Sequence, residues 1–145
     1  MKPLSQSLDK FDAWQLLVAG WAVALLSTLS ALFIGEVMGQ APCNLCWFQR
    51  AFMFPLAVVL GVAALLEDRG VWRYALPLAA LGLLIALYHV LLYVGVIPQA
   101  LEPCGDGPSC SSANMRIFGR VPIPLLSLAS FTVITVLLLQ LRKGT

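Results

Sequence analysis

The sequence predicts an all-α polytopic membrane protein: a four-transmembrane-helix bundle with two cysteine-bearing external loops. Three observations lead there. Of 145 residues, 60% are hydrophobic and only 11% charged, with a mean hydropathy of +0.89, well beyond the apolar share of an average soluble domain. The charged residues leave uncharged runs over 13–35, 51–66, 74–101 and 121–141, and a helix needs about 20 residues to cross the hydrocarbon of a bilayer. All four cysteines, Cys43, Cys46, Cys104 and Cys110, fall in the first and third links between these runs. Loops separated by two crossings lie on the same side of a membrane.

Lys and Arg in short loops set orientation, and Asp and Glu contribute little. Lys2, Lys10, Arg69, Arg73, Arg142 and Lys143 fall on one side, against Arg50, Arg116 and Arg120 on the other. Six against three predicts that both termini are cytoplasmic and that the cysteines face the external, oxidising side, where disulfides form and persist. The net charge of +2 reflects this asymmetry and gives no reason to invoke nucleic acid. The expected organisation is one membrane domain, 1–145. Its spans are near 13–35, 46–66, 74–97 and 121–141, its external loops are 36–45 and 98–120, and its cytoplasmic segments are 1–12, 67–73 and 142–145.

Residues 1–12 form a polar lead, with Lys2 and Lys10 as inside-facing anchors. The first apolar run is longer than the 7 to 15 residues of a signal-peptide core, and Val37-Met38-Gly39 is a faint cleavage pattern, so a span is favoured over a cleaved signal. Gly20 and Ala24, four apart and followed by Ser27, Thr28 and Ser30, suit close helix contact. The second run is short unless its helix begins near Leu45 or Cys46 and Arg50 snorkels outward. Pro55 is expected to loosen or kink that helix, as a packing feature or as part of a cofactor slot. The link 67–73, with Gly70, is long enough only for a turn, which makes the second and third spans antiparallel neighbours.

The third span carries His89, the only histidine, in mid-run, with Tyr93 one turn further on the same face. A histidine there either lines a path from the cysteine loops into the bilayer or is a neutral packing group bonded to a neighbouring helix. Residues 98–120 form the longest loop, where Gly105, Gly107 and Pro108 allow a turn between Cys104 and Cys110. Met115, Ile117 and Phe118 are apolar enough to lie on the membrane surface. Pro122 and Pro124 open the fourth span, where a helix start tolerates proline.

The stretch Pro42-Cys43-Asn44-Leu45-Cys46-Trp47-Phe48-Gln49-Arg50 carries the chemistry. A Cys-x-x-Cys pair can close as a disulfide, and a Cys in the first turn of a helix has its thiolate stabilised by unpaired N–H groups and the helix dipole. Arg50 lies one turn beyond Cys46 on the same face, where its charge favours a thiolate and any anion beside it. The four cysteines read as zinc ligands, as two structural staples or as two exchanging dithiols. An external face and the spacing of the second pair disfavour zinc, and no metal is expected. Staples have no need of an arginine at a helix mouth.

On that nine-residue motif, the four spans, the second cysteine pair in the third loop and Ile123-Pro124-Leu125-Leu126-Ser127-Leu128, the chain closely resembles the DsbB family of disulfide bond formation proteins. The short second pair is most similar to the compact BdbC-type branch, since the best-studied members separate that pair more widely. The resemblance implies a thiol:quinone oxidoreductase of the bacterial cytoplasmic (inner) membrane. It would reoxidise a soluble DsbA-like thioredoxin-fold partner and pass the electrons to membrane quinone, ubiquinone or menaquinone. Carried over, Cys104 forms the mixed disulfide with the partner, Cys43 pairs with Cys46, Cys104 with Cys110, and Cys43 transiently with Cys110. Cys46 is then the thiolate beside the quinone, stabilised by Arg50, with Trp47, Gln49, His89 and Tyr93 as further quinone contacts. The alternative of a different class is a small four-span scaffold or assembly factor with structural external disulfides.

Overall fold

The computed structural model describes residues 2–101, 110 and 116–145, with side chains from Asp12 onward. Cys104 and Met115 lie outside the described residues. Four helices, α1 (Lys2–Leu32), α2 (Asn44–Leu66), α3 (Trp72–Tyr93) and α4 (Ile123–Lys143), are each long and apolar enough to cross a membrane. They form a ring in which α1 packs on α2 and α4, and α3 packs on the same two helices.

Local chemistry sets the boundaries. At its far end α1 passes into a π-helical turn, Phe33–Val37, and Gly39 at φ +68° then releases the chain toward Pro42. Cys43, in extended conformation (φ −72°, ψ 170°), is the N-cap of α2. At the other end Glu67 takes a left-handed φ of 54°, and Asp68 Oδ1 accepts from Gly70 N at 2.8 Å to start the next turn. Pro55 in α2 and Pro77 in α3 each remove a backbone donor, yet both helices run on through them and both prolines sit on exposed faces. The third apolar run continues past Tyr93, but the helix stops there because Gly95 turns to φ +84°, and Val96 N bonds back to Leu91 O at 3.0 Å. A two-stranded hairpin, β1 (Arg116–Ile117) and β2 (Val121–Pro122), precedes α4, its turn made by Phe118 and Gly119 at positive φ.

Lipid tails are as apolar as leucine, so such helices associate through close packing and interhelical hydrogen bonds. Ala24, Ala63, Ala75, Ala79 and Ala86 are accordingly buried, with Leu56, Leu60, Phe131 and Ile134 filling the space between them. The ring of Phe131 on α4 occupies the place where a Cβ on Gly82 of α3 would stand. Ser27 Oγ donates to Ser130 Oγ at 3.0 Å between α1 and α4, and Trp14 Nε1 donates to Ala64 O at 3.1 Å between α1 and α2. Leu26, Val58, Leu65, Leu66 and Leu84 point outward. A second, smaller core of Cys43, Leu45, Leu92 and Cys110 closes the end of the bundle where α2 begins, with Cys46, Ile85, Tyr88, Tyr93 and Ile97 packed against it.

Candidate functional site

Cys43 and Cys46 are placed by the start of α2. Cys43 caps the helix through its carbonyl, which accepts from Trp47 N at 3.1 Å, and this puts Cys46 in the first turn among the unpaired amides. Both are free thiols, as is Cys110, and Cys43 Sγ donates to Cys46 Sγ at 3.3 Å. Cys43 and Cys110 are fully buried side by side. The Cys43 thiol is pushed up to about 12: Cys110 beside it works against the shift, while the hydrogen bond to Cys46, burial and the charge on Cys46 drive it. Within the pair the proton is therefore held tightly by Cys43.

His89 on α3 is wholly buried behind this pair. Its Nδ1 lies 3.0 Å from Gln49 Nε2, and its Nε2 lies 3.3 Å from the carbonyl oxygen of Cys110 and 3.9 Å from Cys43 Sγ. The donor atoms of Cys43, His89 and Cys110 are all within 4.8 Å of one another, so by donor type this trio is also where a thiophilic metal ion would fit.

Arg50 faces the opposite way. A change from i→i+4 to i→i+5 bonding skips a carbonyl, and at the π-helical turn of α1 the oxygen of Ala31 accepts from Arg50 Nη2 at 2.7 Å. The guanidinium lies against Gly35, where an added Cβ would stand 3.0 Å from Nη2, and its carbon is 5.4 Å from the centroid of the Trp47 ring. It borders a cleft of about 600 Å³ between α1, α2 and α4. Cys46, Gln49 and Arg50 line one wall, Leu26, Ile34, Met53, Phe54 and Leu126 supply apolar surface, and Gln40 and Ile117 close the top.

The structure thus brings Cys46, Gln49 and Arg50 to one cleft and Cys43, His89 and Cys110 to a buried cluster, with Gln49 touching both. Trp47, His89, Tyr93 and Pro55 are not among the cleft residues. Trp47 is 58% exposed, and its ring meets the site at Arg50. The Tyr93 hydroxyl accepts from Arg116 Nε at 2.9 Å, tying α3 to β1. Sequence reasoning missed Ala31, Gly35 and Gln40. Nothing in their residue types signals them, because their part comes from a carbonyl, an absent side chain and a carboxamide brought in by another helix and its outer link.

A profile of the family described as "Disulfide bond formation protein DsbB" matches residues 12–141. The chain is 60% identical over 133 residues to a "Probable disulfide formation protein" of Metapseudomonas resinovorans, covering 91% of this chain and 92% of that one. It is 36% identical to "Disulfide bond formation protein C" of Bacillus subtilis, covering 87% and 91%. A "Probable disulfide formation protein" of Deinococcus radiodurans is 40% identical, covering 84% and 85%. No solved structure matches.

Proposed function

Since the chain belongs to the DsbB family of disulfide bond formation proteins, its general role is to generate disulfides, and we propose that it does so by passing electrons from a soluble thioredoxin-fold dithiol partner to a membrane quinone. The observation that carries this reading is the division of the cysteines. Cys46 and Arg50 share one apolar-walled cleft, while Cys43, 3.3 Å from Cys46, is packed against Cys110 on the other side. The setting on this reading is a bacterial cytoplasmic membrane, crossed four times with both termini inside and the cysteine end outside, an orientation that the Lys and Arg bias supports.

The cleft has the chemistry a quinone needs. Its walls are apolar, and Arg50 keeps N–H donors beyond the one given to Ala31. Gln40 Oε1 is buried without a partner among the described residues, so its carboxamide can serve an oxygen or hydroxyl in the cleft. A bound quinone would supply an acceptor for two electrons and two protons. The residues do the rest. The partner's thiolate attacks Cys104 in the Cys104–Cys110 disulfide, Cys110 leaves and attacks Cys43, and the Cys43–Cys46 bond breaks with the electron pair on Cys46. Arg50 and the first-turn amides of α2 hold that charge against the cleft. A DsbA-type partner poised near about −120 mV is a strong oxidant, so its reoxidant must be at least comparably oxidising, which glutathione-linked pools are not.

The test is anaerobic turnover with a soluble quinone and either a reduced Cys-x-x-Cys protein or dithiothreitol as donor. Cys104→Ser should stop turnover with the protein donor and spare it with dithiothreitol, whereas Cys46→Ser should stop both. Equal losses in the two variants, with the fold intact, would make the cysteines cross-links and favour the scaffold reading.

A further inference from the structure

We infer that His89 is the hydrogen-bond donor for the thiolate that moves between Cys110 and Cys43, and that it serves this exchange and not the quinone cleft. The inference rests on the relay proposed above and assigns to His89 a different task from quinone contact.

The partners at the two ends of the ring assign one tautomer. A carbonyl oxygen can only accept, so the contact between Cys110 O and His89 Nε2 at 3.3 Å places the hydrogen on Nε2. Nδ1 is then the bare nitrogen, and it accepts from the Gln49 carboxamide at 3.0 Å. One imidazole is thus held between α2 and the third loop, with its N–H given to the Cys110 oxygen at rest and the Cys43 sulfur next to the same nitrogen. Cys43 Sγ is 3.9 Å from that nitrogen, and Cys110 Sγ lies within the same 4.8 Å cluster.

The pocket explains why a donor is needed. Cys43, Cys110 and His89 are buried, and Leu45 and Leu92 complete the cluster around the two sulfurs. A sulfur anion formed there loses its hydration, and a preset N–H replaces part of it. Cys46 has Arg50 and the amides of the α2 first turn, but Arg50 faces the cleft, away from Cys43 and Cys110. In the exchange the Cys110 thiolate attacks Cys43 Sγ. The Cys110–Cys43 bond forms, the Cys43–Cys46 bond breaks, and the electron pair leaves on Cys46. On the return step the Cys104 thiolate attacks Cys110, and the pair leaves on Cys43. No electrons are consumed and His89 gains no proton. The negative charge begins on Cys110 and later appears on Cys43, and both sulfurs lie in the cluster around His89, so its N–H can turn from the Cys110 oxygen to either anion.

The experiment isolates that bond. In a Cys46→Ser/Cys104→Ser background, only Cys43 and Cys110 remain, and oxidised glutathione drives closure of the Cys43–Cys110 disulfide without partner or quinone. His89→Leu should slow closure about tenfold or more, the loss expected for one hydrogen bond to a charged group, and His89→Gln, which keeps an N–H, should recover most of it. In the chain with all four cysteines, His89→Leu should lower kcat and leave the apparent KM for quinone unchanged. Equal slowing in the Leu and Gln variants would reduce His89 to packing and overturn the inference. A raised quinone KM with normal closure would overturn it too, by moving His89 to the cleft. Slowed closure in a protein that never reduces quinone would sink the quinone reading and leave this inference standing.

Discussion

Arg50 is held from three sides: the oxygen of Ala31 accepts from it, the ring of Trp47 lies under it, and Gly35 leaves room for its guanidinium. A lysine offers a compact, strongly hydrated charge in place of a planar fork. Arg50→Lys should therefore keep the fold and raise the apparent KM for quinone. If one charge-assisted hydrogen bond of about 1.5 to 3 kcal/mol is lost, the effect is on the order of tenfold to a hundredfold in steady-state quinone reduction. Unchanged kinetics would make Arg50 an interfacial anchor. The pairing of Arg50 with Cys46 could be read from the sequence, because four residues along a helix is a local relation fixed by its pitch. The contact between Gln49 and His89 could not, since it spans 40 positions and depends on how α2 and α3 turn toward each other. Of the two environments offered for the histidine, the hydrogen bond to a neighbouring helix is present, from Gln49 of α2, and His89 is not among the residues that line the cleft.

The helices could be found from the sequence because charge spacing alone marks where hydrocarbon ends. Their termini depended on finer signals. The third run reads as continuous to Leu101, but Gly95 in a left-handed turn stops α3 at Tyr93. The π-helical end of α1 has no signature in residue type. Packing between α3 and α4 turns on Gly82, since the Phe131 ring fills the space its side chain would need. Gly82→Leu should destabilise the bundle by about 1–3 kcal/mol or more through overpacking, read as a lower thermal midpoint in detergent. Phe131→Leu in the same chain should recover part of that loss, because substitutions at touching positions do not add. Full additivity would mean that the two helices separate before the clash is felt.

The ring arrangement places all described cysteines at one end of the bundle, and the six-to-three charge bias supports the proposal that this end lies outside. After reduction, Cys43, Cys46, Cys104 and Cys110 should be modified by a membrane-impermeant maleimide added to intact cells, with Cys43 and Cys110 slowest because both are buried. Labelling of either pair only from inverted vesicles would reverse the topology and the redox compartment together.

The cleft beside Cys46 has Leu26 and Leu126 at its walls, and both are substantially exposed on the outer surface of the bundle. On the proposed function, an apolar acceptor dissolved among acyl chains would reach it sideways, as a two-dimensional solute that never crosses water. Its effective concentration is a mole fraction per lipid, set by the composition of the membrane. Diluting vesicles with buffer should leave the turnover of each protein untouched, while adding lipid at constant total acceptor should slow it. On that reading the enzyme would be a meter of how full the bilayer's own acceptor pool is, and its output of disulfides would follow that pool.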